Sequence, residues 1–264
     1  MSRVVPQASI AGMIFTLLIT LVLPVVAAIL TKRKTEGRVV YVFLGAGTFV
    51  VFALALEQLL HIAMAGAFGE KLTGNMWLYA LYGGLAAGLF EETGRFVAMR
   101  FLMKKHLEKE NALMYGIGHG AAEGIILSLM AYIPNLVTSI RINNGSIETA
   151  LSGLDAAARA NTMEQLQTLW TTGSDLFFMA GIERLFAFIL QICLSYIVYL
   201  AVKNKKPVYY FLAVLLHFLI DAGIEVLQNM VTIYFVEAFL IVTVLIIAVF
   251  TVKKYRSEQP SVMD

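Results

Sequence analysis

An all-α fold, a polytopic helix bundle inside a membrane, is predicted by three features of the sequence. Hydrophobic residues make up 59% of the chain and charged residues 14%, where a soluble domain carries about 25% charge. The apolar runs are too long for core helices, since about 18 consecutive apolar residues span a bilayer. Lysine and arginine gather between alternate runs, which is how membrane proteins fix their orientation. Together these features predict seven transmembrane helices, with the N-terminus outside and the C-terminus inside.

The predicted spans follow in order. Span one, 8–31, has an apolar stretch longer than the 7–15 residues of a secretory leader. Its basic cluster, Lys32, Arg33, Lys34 and Arg38, follows it rather than precedes it, so it is expected to be a permanent crossing. Span two, 38–66, carries Glu57 and His61 near its outer end, expected at the interface. Span three, 76–102, contains Glu91-Glu92-Thr93-Gly94-Arg95. Arg100, Lys104, Lys105 and Lys109 lie around the next junction. Span four, 111–134, contains His119-Gly120-Ala121-Ala122-Glu123.

Residues 135–175 form an outward insertion. Asn143-Asn144-Gly145 marks a turn. Ser146 is expected to cap a helix through Ile147, Leu151 and Leu154. Thr162 with Gln165 has the spacing of a capping box for a second short helix ending near Trp170. Span five, 176–202, holds Glu183-Arg184 and Cys193, the single cysteine. Adjacent helical positions diverge, so Glu183 and Arg184 are expected to find separate partners. One cysteine excludes an intramolecular disulfide and a multi-cysteine zinc site. Span six, 207–227, contains His217 and Asp221, and span seven, 230–252, ends before Lys253, Lys254 and Arg256. The chain reads as one membrane-embedded domain, 1–264, with the insertion at about 135–175.

All four basic clusters, including Lys203, Lys205 and Lys206, fall in the loops assigned to the cytoplasmic side. The other loops hold only Lys71, Arg141 and Arg159. The agreement supports an odd number of crossings independently of hydropathy. Basic residues scattered over several loops form no nucleic-acid patch.

Ionisable residues in a bilayer cost roughly 2.5 to 3.5 kcal/mol each at a helix centre, so several of them imply one shared polar site. At about 1.5 Å per residue, Glu91 and His217 lie about 15 Å from the cytoplasmic end of their spans, His119 about 12 Å and Glu123 about 18 Å. Glu91–Arg95, His119–Glu123 and His217–Asp221 each have the i, i+4 spacing that shares a helix face. Gly84 with Gly88, and Gly116 with Gly120 and Gly124, mark faces that let helices approach. They are expected to draw span three onto span four.

A carboxylate and a histidine can hold and deprotonate a water. A second histidine with an acid can donate to an oxyanion. Two histidines and a carboxylate, here His119, His217 and Glu123, can instead bind zinc. Neither His-Glu-x-x-His nor Gly-x-Ser-x-Gly occurs in the chain. A metal-free site is therefore favoured, with zinc the alternative.

The ordered set Glu-Glu-x-x-Arg, His-Gly-x-x-Glu and His-x-x-x-Asp resembles the YhfC family of predicted intramembrane proteases, over about residues 10–250. That family is similar to the PrsW proteases and, more remotely, to type II CAAX prenyl proteases and bacteriocin-processing relatives. The resemblance implies a helical bundle with a hydrolytic site inside the membrane. Glu91 would be the general base with Glu92 beside it. His119 or Glu123 would take the place of the second motif's histidine. His217 and Asp221 would match the His-x-x-x-Asn/Asp motif that supports the oxyanion. The related group has Glu-Glu-x-x-x-Arg, and Arg95 stands one residue earlier. That turns it about 100° around the helix and makes Glu91 its expected partner.

The reading that follows is an intramembrane endopeptidase acting on membrane-anchored protein or peptide substrates. Its catalytic candidates are Glu91, Glu92, His119, Glu123, His217 and Asp221, with Arg95 and Glu183 in support. A proton- or ion-coupled transporter is the second reading, because membrane carboxylates and histidines also form proton relays. A non-catalytic scaffold that binds membrane partners is the third.

Overall fold

The computed structural model describes residues 3–258 and is helical throughout them. The outermost residues of the expected 1–264 domain lie outside the described residues. Seven long helices stand where the seven spans were predicted. They are α1 Gln7–Lys34, α2 Val40–Phe68, α3 Met76–Val97, α4 Lys109–Asn143, α5 Ser174–Lys203, α6 Val208–Leu227 and α7 Ile233–Ser257. All except α3 are long and apolar enough to cross a membrane. Helix α3 has the length, 22 residues, but Glu91, Glu92 and Arg95 near its end reduce its apolarity.

Outward faces carry large apolar side chains, among them Phe43, Leu59, Ile62, Phe211 and Ile246. Water would penalise such a surface, whereas lipid tails accept it. Asn75 starts α3, its Oδ1 accepting from the Leu78 amide at 3.1 Å, a normal N-cap. At the other end α3 runs into a widened turn, Ala98–Leu102, closed by Met103 N–H to Ala98 O at 2.9 Å. Similar wide turns occur at Leu18–Val22, Val50–Glu57 and Ser128–Tyr132. The last explains why α4 continues to Asn143 when its span was expected to stop at 134. Pro134 stands just beyond the wide turn, where the altered hydrogen-bond ladder tolerates a missing N–H.

The chain divides into two compact units. One comprises the residues up to Leu23 together with Gly124–Leu185. Its core is Val5, Met13, Ile142, Ile147, Leu151, Met163 and Leu169, with Trp170 and Phe177 packed against them. The insertion is thus folded onto the first helix. Asn143 clamps the entry, accepting from Val5 N–H at 2.7 Å and donating to Val5 O at 2.8 Å. Thr20 and Ser128 share a buried hydrogen bond of 2.6 Å.

Two details of the insertion differ from expectation. Ser146 precedes a helix of only four residues, Ile147–Ala150, and makes no side-chain cap; its hydroxyl is bound to Asn144 Oδ1. The second helix, Ala156–Gln165, is capped by Asp155, which accepts from Ala158 N–H at 2.8 Å. Thr162 lies inside that helix and bonds back to Ala158 O. An aspartate about two turns upstream outcompetes the threonine because a carboxylate is the stronger acceptor at a helix N-terminus.

The second unit comprises Pro24–Glu123 and the residues from Phe186 onward. The second half of α5 is its centre: Leu194 and Tyr196 to Val202 are all buried. Lys109 Nζ donates to Glu258 O at 2.6 Å, and Tyr196 donates to the Glu258 carboxylate at 2.8 Å, tying α4, α5 and the end of α7 together.

The glycine faces do not pair α3 with α4 as expected. A Cβ placed on Gly84 would lie 2.9 Å from Phe218 O and Ala222 N, and one on Gly88 3.0 Å from Val214 O, so α3 lies on α6. Gly116 and Gly120 place α4 on α5, against Ile192 and Phe188. The tightest approach joins α2 and α4. A Cβ on Gly118 would sit 1.8 Å from Val42 O, and one on Gly45 2.0 Å from Tyr115 O. Spacing marks a face of small residues but does not say which helix will occupy it.

Candidate active site

Two helical periods govern the site. On α3, Glu91 and Glu92 reach Arg95 at i+4 and i+3, the two spacings that meet on a helix surface. Arg95 Nη2 lies 3.3 Å from Glu91 Oε2, and Nη1 is bonded to Glu92 Oε1. Glu92 is therefore the closer partner. The expectation that the earlier arginine would prefer Glu91 is corrected, because i, i+3 neighbours are as accessible as i, i+4. The guanidinium is completely buried and also donates to Ser195 Oγ at 3.2 Å and to Gln191 Oε1. A buried guanidinium needs several acceptors at once, and α5 supplies the last two.

From this ion cluster the polar contacts run both ways. Glu91 Oε2 accepts from His119 Nε2 on α4 at 2.8 Å. Glu92 Oε1 accepts from His217 Nδ1 on α6 at 2.8 Å. His217 Nε2 faces Asp221 Oδ2 at 3.4 Å. The order is His119, Glu91, Arg95, Glu92, His217, Asp221, carried on three helices. All but Asp221 are buried. Phe49 meets the His119 ring edge-on at 5.0 Å, holding it on the carboxylate. His119 Nδ1 and Glu92 Oε2 are buried without a hydrogen-bond partner among the described residues. The two carboxylates differ in access: Glu91 keeps 8% exposure and Glu92 none.

The family model of the YhfC intramembrane metalloproteases matches residues 19–246. The chain belongs to the YhfC family. It is 33% identical over 228 residues to the uncharacterized membrane protein YhfC of Bacillus subtilis (strain 168), covering 85% of this chain and 87% of that protein. No solved structure matches it. Membership carries an intramembrane-protease-like function and places the chain, with its apolar helices, as a multi-pass protein of a bacterial membrane.

Three sequence-predicted residues stand differently from the rest in this structure. Glu123 accepts from Gln191 Nε2 at 2.8 Å and so joins the cluster through Gln191. Glu183 belongs to the other unit and pairs with its neighbour Arg184. Their positions diverge on the helix, but a long flexible arginine folds back across that angle. Glu57, expected at the interface, is buried and lies 3.3 Å from His61 Nε2. Gln191 and Ser195 were not singled out from the sequence. Their i, i+4 spacing on an apolar span was the available signal.

The family's name implies a metal, and the donor atoms can be tested for fit. Among the described residues, no three His, Cys, Asp or Glu side chains gather in a group that could hold a metal ion. His119, His217 and Glu123, the set considered for zinc, each bind a different partner. The carboxylates between the two histidines share the Arg95 guanidinium, a cation already placed where a dication would compete. As arranged, these residues do not fit a three-ligand zinc site.

Proposed function

We propose that this chain is an intramembrane endopeptidase that cleaves membrane-anchored peptides with a water activated by Glu91, without a metal. The observation that carries the reading is the polar chain across three helices, buried from His119 to His217 and ending at half-exposed Asp221. Lipid-embedded helices gather such groups for chemistry or transport rather than for packing. All seven helices cross in this reading, with the insertion outside and the C-terminus inside, as the basic loops require.

Glu91 has residual access and acts as the base; Glu92, enclosed by Arg95 and His217, orients them. Glu91 takes a proton from water as the oxygen attacks the amide carbon. His217, as an imidazolium that donates Nδ1–H to Glu92, presents Nε2–H toward Asp221 and stabilises the oxyanion through it. When the C–N bond breaks, Glu91 returns its proton to the leaving amine. His119 fixes the Glu91 carboxylate from the far side.

The test is cleavage of a panel of single-span peptides in proteoliposomes, with and without a chelator. Cleavage that survives the chelator and is lost in Glu91→Gln supports the proposal. Chelator-sensitive cleavage restored by zinc overturns the metal-free chemistry, and cleavage by Glu91→Gln overturns the role of Glu91.

A further inference from the structure

A cavity of about 450 Å³ opens beside the buried chain, between the end of α2, the start of α3 and the end of α6. Its volume falls within the roughly 300–1,000 Å³ of formed ligand sites. Four observations connect it to the chemistry. First, Asp221 belongs both to the cavity wall and to the polar chain, 3.4 Å from His217 Nε2. Second, the opposite wall holds His61 and Tyr82, joined at 2.6 Å, and His61 leads to buried Glu57. Third, Gly83 lines the cavity and a Cβ there would meet nothing within 4 Å, while neighbouring Gly84 is packed on α6. One glycine builds the helix contact and the next leaves room for another backbone. Fourth, the wall carries Asp221 and Glu225 one helical turn apart, and among the described residues that line it none is Lys or Arg.

We propose that this cavity is the substrate cleft, entered from the outer face, and that it takes an extended stretch of a membrane-anchored peptide whose cationic side chain lies between Asp221 and Glu225. The inference rests on the peptidase reading and specifies its substrate. The cavity reaches the α2–α3 connection through Gly69, Leu72 and Thr73, the end that the basic loops assign to the outside. A lysine or arginine arriving there exchanges the headgroup region for two carboxylates and keeps its charge compensated. An acidic residue in the same place would meet like charge. The peptide bond next to it then passes Asp221 and reaches His217 and Glu91.

Gly83→Cys gives the direct test, because the only native cysteine, Cys193, is buried. The introduced thiol should react with a membrane-impermeant maleimide added outside. In a Glu91→Gln background, a single-span peptide with lysine on its outer flank should slow that reaction about tenfold more than the same peptide with glutamate, the ratio expected from attraction against like-charge repulsion. Gly83→Trp should fill the cavity and abolish cleavage while the protein keeps its thermal stability. Equal protection by lysine, norleucine and glutamate peptides would overturn the charge assignment. Normal cleavage by Gly83→Trp would overturn the cleft and leave the peptidase reading intact. Protection without any cleavage by the wild type would keep the cleft and remove the peptidase reading.

Discussion

Glu92 and His217 are joined by a 2.8 Å hydrogen bond between α3 and α6, with no exposure at the carboxylate. Its neighbour Glu91 is bound to His119 on α4 at the same distance but keeps some access. Two adjacent glutamates therefore stand differently, one enclosed between a guanidinium and an imidazole, the other buried but keeping 8% exposure.

The division of labour gives opposite mutant phenotypes. Glu91→Gln should abolish cleavage with little loss of stability, since the amide keeps the size and an acceptor. Glu92→Gln removes the carboxylate nearest Arg95, and breaking a buried pair costs about 3–5 kcal/mol. Thermal melting in detergent beside a cleavage assay checks both. Equal melting losses in the two variants would remove the distinction.

Arg95 is the hub, with Glu91, Glu92, Ser195 and Gln191 as acceptors. Arg95→Lys should not restore function, because one ammonium cannot reproduce a planar fork of donors. The expected loss is again about 3–5 kcal/mol, together with cleavage. A variant that melts and cleaves like the wild type would show the hub to be dispensable.

Helix approach makes a prediction independent of catalysis. Gly118→Ala places a methyl against the Val42 carbonyl, where an ideal Cβ would lie 1.8 Å away, while Gly47→Ala meets nothing within 4 Å. The first should destabilise by about 1–3 kcal/mol or more, the usual range for overpacking; the second should be silent. Melting temperatures of the two purified variants decide it.

Buried Glu57 should matter despite lying outside the sequence motifs. Glu57→Gln keeps the shape but replaces the buried carboxylate that faces His61 at 3.3 Å. Turnover should fall and its dependence on pH should change, while peptide protection of a Gly83→Cys thiol should remain. An unchanged pH profile would assign Glu57 to packing alone.

Topology is tested with reporters. A fusion at Gly145 should report outside, and one after Arg256 inside. Both on one side would remove the seven-crossing topology, since α5, α6 and α7 are the three helices between the two reporters and each meets the length and apolarity of a span.

What the sequence by itself determined is local in origin. Hydropathy over a run of residues set the membrane class and the positions of the long helices, because each helix satisfies its own backbone and must only match lipid in length and polarity. The i, i+4 pairs Glu91–Arg95 and His217–Asp221 were legible because both partners share one helix. Tertiary structure decided everything that depends on how helices rotate and lean against each other. It placed the glycine face of α3 on α6 rather than α4, and gave Arg95 its acceptors Gln191 and Ser195 on α5. It left Glu123 on Gln191 and buried Glu57 beside His61. A face of glycines or a lone glutamine carries no record of its partner, since that choice comes from interhelical packing, whose energy is shared by residues far apart in the chain.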